Sequence, residues 1–395
     1  MKTFLSATLL CLTMVAVTES ASYACNLCAT PSHTDPLIIP SILMTGASAS
    51  GSQSITGAGS QTSNLGSFGI TINPGSALAA NTAALAAFNR GAAQWGSRIF
   101  DPITININAN LGTFANNNII GSTGSVLLQS TFDDIRGAVV DDAADEADDA
   151  IVAALPTAAQ ASFITPTGFG IANAIVLTKA NAKALGFEGL DTVFGATDAT
   201  ITFNSAFSFD YDSSDGIGAG LVDFETVAAH EIGHALGFVS IVDSVDALLS
   251  QGRTQNLAIR TLDLFRFQNN VAGADPSTVE EFTSFPRFLL TGGDAITDEL
   301  TGEYRMSTAV ANGDGRQASH WKDDSLTGLT IGIMDPTLAN QTITPVGDRD
   351  FRALDLIGYD ILPRLEDSMT APEPTSAALV CIGLLVIPIA ARRRR

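Results

Sequence analysis

Apolar residues recur at helical spacing through Phe224, Val227, Ala228, Ile232, Ala235 and Leu236, which predicts a helix with one face in a core. Asp223 stands where an N-cap belongs, and Gly237 where a left-handed residue can end the helix. Upstream, Phe68–Ile72 reads as a strand, followed by an amphipathic helix from Ser76 to about Trp95. Pro102 introduces Ile103–Ile107, where β-branched and polar residues alternate. Val126–Leu128, Ile175–Thr178 and Thr200–Asn204 are further strands, and Asp133–Leu155 a second helix with an acidic face. After Phe238 the periodicity weakens. Leu262–Phe267 and Phe285–Leu290 read as strands, and Phe351–Ile357 as a short helix ended by Gly358. Ala29 to about Leu65 is rich in Ser, Gly and Thr, lacks a hydrophobic period and reads as a linker or loose arm; its His33 is taken as exposed.

The helix over 224–236 carries His230-Glu231-Ile232-Gly233-His234. Residues four apart share a helix face, so His230 and His234 can hold one zinc ion between them. Glu231 lies at a neighbouring angle, where a carboxylate can take a proton from water activated by the metal. Phe203, Asn204 and the rest of the strand Ile201–Asn204 precede the helix and offer an edge for an extended peptide.

Composition narrows the setting. The chain has 395 residues, 46% hydrophobic and 15% charged, enough for one large domain or two subdomains sharing a cleft. Twenty Lys and Arg against 41 Asp and Glu leave a net charge of −21, which disfavours nucleic acid or an anionic membrane as a partner. Met1 to Ala24 has the basic start, apolar run and small-residue end of a secretory signal. Of the four cysteines, Cys11 lies in that signal and Cys381 in a C-terminal apolar run, leaving Cys25 and Cys28. A local disulfide in an oxidising compartment is the favoured reading; a thiol that reaches the metal and holds the protein latent is the alternative. The acidic run Asp141, Asp142, Asp145, Glu146, Asp148 and Asp149 reads as a solvated face rather than a calcium (Ca2+) site, because loop-type ligand spacing is missing. Asp210, Asp212 and Asp215 read as a turn in preference to calcium.

A catalytic zinc site usually has three protein ligands. The donors that remain are Asp243, close to the helix, and His320, in Ala318-Ser319-His320-Trp321-Lys322; Met334 follows in Ile333-Met334-Asp335-Pro336. Taken together, His234-Ala235-Leu236-Gly237-Phe238, Ser319-His320-Trp321-Lys322 and the later methionine turn resemble the leishmanolysin-type branch of the metzincin metalloproteases. The resemblance is specific over about 222–239 and 318–360 and loose from 67 to 221. It implies Zn2+ held by His230, His234 and His320, Glu231 as general base, and Met334 as an apolar floor beneath the metal. Ser240 fills the slot that carries the third His in compact relatives, and Pro336 the slot where some relatives carry an oxyanion-steadying Tyr.

The expected fold is α+β and metzincin-like: a mixed, twisted N-terminal sheet with the zinc helix over 67–239, and an irregular C-terminal subdomain over 240–363. A signal (1–24) and a Ser/Gly-rich arm (25–66) precede these. Residues 364–395 carry Pro372-Glu373-Pro374, an apolar run from Ala377 to Ala391 and Arg392–Arg395. This order resembles the Pro-Glu-Pro (PEP-CTERM) sorting tails of certain Gram-negative bacteria, which an exosortase processes at the inner membrane. The resemblance implies a secreted or surface-sorted zinc endopeptidase with a peptide or protein substrate, in contact with the membrane only through its transmembrane tail before processing. The alternatives are a catalytically silent zinc-containing matrix protein and a hydrolase of non-peptide amides.

Overall fold

The computed structural model describes residues 68–362 except 117, 144–149, 269–275 and 298–303, together with the backbone of two N-terminal strands, Val15–Val17 and Ser22–Asn26. The chain divides into two units after Ile361, and every described strand and helix belongs to the first. His33, Cys28, Asp145, Glu146, Asp148, Asp149 and the sorting tail lie outside the described residues. Among the described residues no helix is long and apolar enough to cross a membrane.

The architecture is mixed α and β. In the larger sheet, Gly69–Pro74, Thr104–Gly112 and Ala199–Asn204 run parallel, and Ile119–Ser125 pairs antiparallel with Ala199–Asn204. Ser22–Asn26 runs antiparallel along the outer side of Ile119–Ser125. A second sheet combines Val15–Val17, Leu127–Ser130, Gly170–Thr178 and Asn256–Arg260, so a strand from beyond residue 240 joins strands that precede it. The strand Ile201–Asn204 is therefore interior, paired on both sides, and offers no edge. That corrects the expectation from sequence.

Two helices pack at the heart of the larger unit. Thr82–Gly96 is capped by Asn81, whose Oδ1 accepts the Ala84 N–H at 3.0 Å, so the expected single helix from Ser76 breaks there. Gly91 lets this helix approach the helix Phe224–Leu236 closely: a Cβ at 91 would sit 3.0 Å from the Ala229 nitrogen. The Trp95 indole N–H donates to the Ala229 carbonyl at 2.8 Å. An isolated helix of this length is marginal in water, so packing sustains it. Every residue from Phe224 to Leu236 except Glu225 is buried, the signature of a helix enclosed by the core.

Other segments differ locally from expectation. Leu262–Phe265 belongs to a 3-10 turn, with a strand only over Arg266–Gln268. The cause is Asp263, whose carboxylate accepts the N–H groups of Arg260 and Ile241 at 2.8 and 2.9 Å and pulls the backbone into a turn. Phe285–Leu290 contributes only the short strand Arg287–Phe288. The acidic helix stops at Asp142, with Ala150–Ala153 as a separate turn. The C-terminal helix runs Asp348–Asp355, and Gly358 follows at φ 95°.

Candidate metal centre

The helix that carries the His-Glu pair begins and ends as its sequence requires. Asp223 Oδ2 accepts the Thr226 N–H at 3.0 Å at the N-cap. At the other end Gly237 takes φ 131°, and the N–H groups of Gly237 and Phe238 both donate to the Gly233 carbonyl. This reversal turns the Phe238 carbonyl back toward the helix, 2.9 Å from His234 Nδ1.

His320 arrives from 86 residues beyond His234, yet its Nε2 lies 3.2 Å from His230 Nε2 and 3.2 Å from His234 Nε2. The three donor atoms form one buried group. Donors bound at about 2.05 Å around a tetrahedral zinc stand roughly 3.3 Å apart, so the spacing fits that ion. Each ring presents Nε2 because its Nδ1 faces a backbone carbonyl: Ile333 at 2.8 Å for His230, Phe238 for His234, and Gln317 at 3.3 Å for His320. Burial drives the His230 pKa down to about 4 and those of His234 and His320 well below the usual range, with mutual repulsion adding to the last two. All three rings are therefore neutral near pH 7, the form in which an imidazole nitrogen can bind a cation.

Asp243 is not among the converging donors. Its carboxylate accepts the N–H groups of Ala318 and Ser319 at 2.6 and 3.0 Å, together with the Ser319 hydroxyl. The Ser319 hydroxyl oxygen in turn accepts the Ser240 N–H at 2.9 Å, and Ser240 Oγ donates to Asp263 at 2.6 Å. Ser240, in the slot where compact relatives place a ligand, here ties the helix exit to the loop of the third histidine. The edge of the Trp321 ring meets Phe238 at 4.8 Å between centroids, and the Trp321 N–H donates to the Met334 carbonyl at 3.0 Å.

Met334 lies under the helix. A Cβ at Gly233 would fall 2.3 Å from Met334 Sδ and 3.1 Å from Trp95 Cζ2, so the glycine is what admits the thioether. The turn around Met334 hangs on buried Asp350, which accepts from Trp321 Nε1 at 2.7 Å, Gly347 N at 2.8 Å and Ile333 N at 2.9 Å.

Glu231 is wholly buried. Its Oε2 accepts the Thr123 hydroxyl at 2.6 Å, while Oε1 has no hydrogen-bond partner among the described residues. Burial raises its pKa to about 8, an effect the Thr123 hydrogen bond only partly offsets.

The strand Ile119–Ser125 was missed in the sequence, and with it Gly121 and Thr123. Positions 121, 123 and 125 alternate onto the helix-facing side, and Ser125 Oγ reaches the His234 carbonyl at 3.4 Å.

The acidic loops serve local structure. Asp210 accepts from Asp212 N at 3.0 Å and Gly218 N at 2.8 Å, and Asp212 caps the 3-10 turn Ser213–Asp215. A second carboxylate cluster, Asp323, Asp324 and Asp335, was not singled out from sequence. Asp323 is engaged by Arg316, and Asp335 by the Asp324 and Thr337 N–H groups.

Compared with protein-family models, with curated proteins and with solved structures, the chain matches none.

Proposed function

We propose that the chain is a zinc-dependent endopeptidase with a metzincin-like, leishmanolysin-type arrangement of its site. One observation carries this reading: three imidazole Nε2 atoms from distant segments converge on one point, and Glu231, next to His230 on the same helix, holds a buried carboxylate with one oxygen unengaged among the described residues. Held by His230, His234 and His320, zinc would polarise the scissile carbonyl and make an attacking water acidic near pH 7. The chain's own residues do the rest. Glu231 Oε1 takes the proton of the attacking water and returns it to the leaving amine nitrogen. Met334 closes the underside of the site with an apolar thioether and excludes water there.

Ile119–Ser125, covered on its outer side only by the N-terminal strand Ser22–Asn26, suits an extended peptide better than Ile201–Asn204. It carries Gly121 and Thr123 against Glu231, so a strand laid along it passes the base. The chain's own Ser22–Asn26 already runs there, with Tyr23 opposite Thr123 and Ala24 opposite Ser122. Cleavage of the signal after Ala24 would remove Ser22–Ala24 and leave Ser122–Gly124 open to substrate. The signal and the Pro-Glu-Pro tail support export across the inner membrane, with exosortase as the processing partner and the cell surface or extracellular matrix as destination.

The rival is a silent zinc-containing matrix protein. It has no use for a carboxylate beside the metal, and Glu231→Gln separates the two. We expect the variant to keep one zinc per chain and to lose at least a hundredfold in cleavage of labelled casein. Cleavage equal to wild type would overturn the endopeptidase mechanism.

A further inference from the structure

We infer that Thr123, on the strand Ile119–Ser125, is the positioning residue for the general base Glu231. The inference rests on the endopeptidase reading and specifies how that site holds its base. Its warrant is the way two strand positions divide the carboxylate between them.

At position 123 the hydroxyl lies 2.6 Å from Glu231 Oε2 and 2.8 Å from the Glu231 backbone carbonyl. Thr123 is fully buried, so water does not compete for that hydroxyl. At position 121 there is no side chain, and the carboxylate fills the space: a Cβ there would stand 2.4 Å from Oε1 and 2.9 Å from Cδ. One oxygen is thus tied to the strand, and the other lies over the glycine with no partner among the described residues.

A glutamate side chain has three rotatable bonds, and a base that wanders among rotamers spends little time in reach of its proton. The Thr123 hydroxyl removes that freedom through Oε2 and leaves Oε1 to act. Over the cycle Oε1 gains the proton of the attacking water and passes it to the leaving nitrogen. Thr123 keeps its own proton throughout and acts only through Glu231. β-Branching suits the task, since it narrows the hydroxyl to few χ1 positions.

A merely structural role is the competing account, because the same hydroxyl also reaches a helix carbonyl. That carbonyl belongs to an i to i−4 ladder and retains its helical donor if the hydroxyl is lost. The two accounts part on kinetics. The test uses zinc-loaded wild type, Thr123→Val, Thr123→Ser and Glu231→Gln with a fluorogenic casein-derived peptide. Thr123→Val keeps the shape and should lower kcat by about tenfold or more, with KM and the zinc Kd within about twofold of wild type. Thr123→Ser should recover most of the loss. In difference infrared spectra, the carboxyl band that Glu231→Gln removes should shift in Thr123→Val and return in Thr123→Ser. Where valine disturbs the fold, Thr123→Ala gives the same comparison. An unchanged kcat, an unmoved band or a serine variant as slow as the valine overturns the role of Thr123 while leaving the endopeptidase reading intact. A zinc-bound wild type that cuts no peptide overturns both.

Discussion

The Asp243 carboxylate accepts the backbone N–H of Ser319 at 3.0 Å, one residue before the third histidine. With the Ala318 N–H at 2.6 Å it fixes the backbone on which the His320 ring turns. Asp243, a rival to His320 for the third donor in the sequence, instead supports the backbone that carries His320. Removing such a support typically costs ten- to a hundredfold in metal affinity. We expect Asp243→Ala to weaken zinc by about that factor, and His320→Ala to weaken it further, in chelator competition. Asp243→Ala with wild-type zinc affinity would remove it from the centre altogether.

Gly233 is the contact point of helix and methionine. A methyl there would overlap Met334 Sδ and press on Trp95. Both neighbours are fully buried and cannot swing into solvent. Overpacking of this kind costs about 1–3 kcal/mol. Gly233→Ala should lower the melting temperature, and Gly233→Ala with Met334→Ala should recover part of the loss. Simple additivity of the two changes would mean that they do not touch.

Asp101 gives a pH dependence that does not involve the three histidines. Burial, and then the charge of Asp360, raise its pKa from 3.8 to about 8, while its Oδ2 accepts the Asp360 N–H at 3.1 Å. The folded protein therefore binds this proton more tightly than the unfolded chain. The stability it contributes is complete below about pH 4 and is lost as pH rises through about 8. Asp101→Asn keeps an acceptor and never ionises. It should stabilise the protein at pH 9 by on the order of 2–5 kcal/mol and make little difference at pH 4. Denaturant titration at the two pH values measures this, and an equal effect at both would refute it.

The sequence disclosed what local rules govern. The helix Phe224–Leu236 was legible because period, cap and stop residue agree, and its two histidines follow from spacing alone. His320 was reached through resemblance and the scarcity of other donors, since no local pattern links it to a helix 86 residues away. The strand Ile119–Ser125 was hidden because Ile-Ile-Gly-Ser-Thr-Gly-Ser carries weak strand preference. Its small residues answer to the helix packed on them, a tertiary demand that one-dimensional patterning does not display. Thr123 and Glu231 are 108 residues apart, and neither hints at the other. The alternation in Leu262–Phe267 misled because Asp263 caps a turn with its side chain, which periodicity does not register.

The three imidazoles rest on main-chain oxygens of residues 238, 317 and 333. A peptide carbonyl is present whatever side chain its residue bears. These three positions can therefore change in chemistry without changing which ring nitrogen each imidazole presents to the other two, as long as the loops keep their course. The tautomers follow from the backbone path, so substitutions at 238, 317 and 333 that keep this path leave the same lone pairs on display.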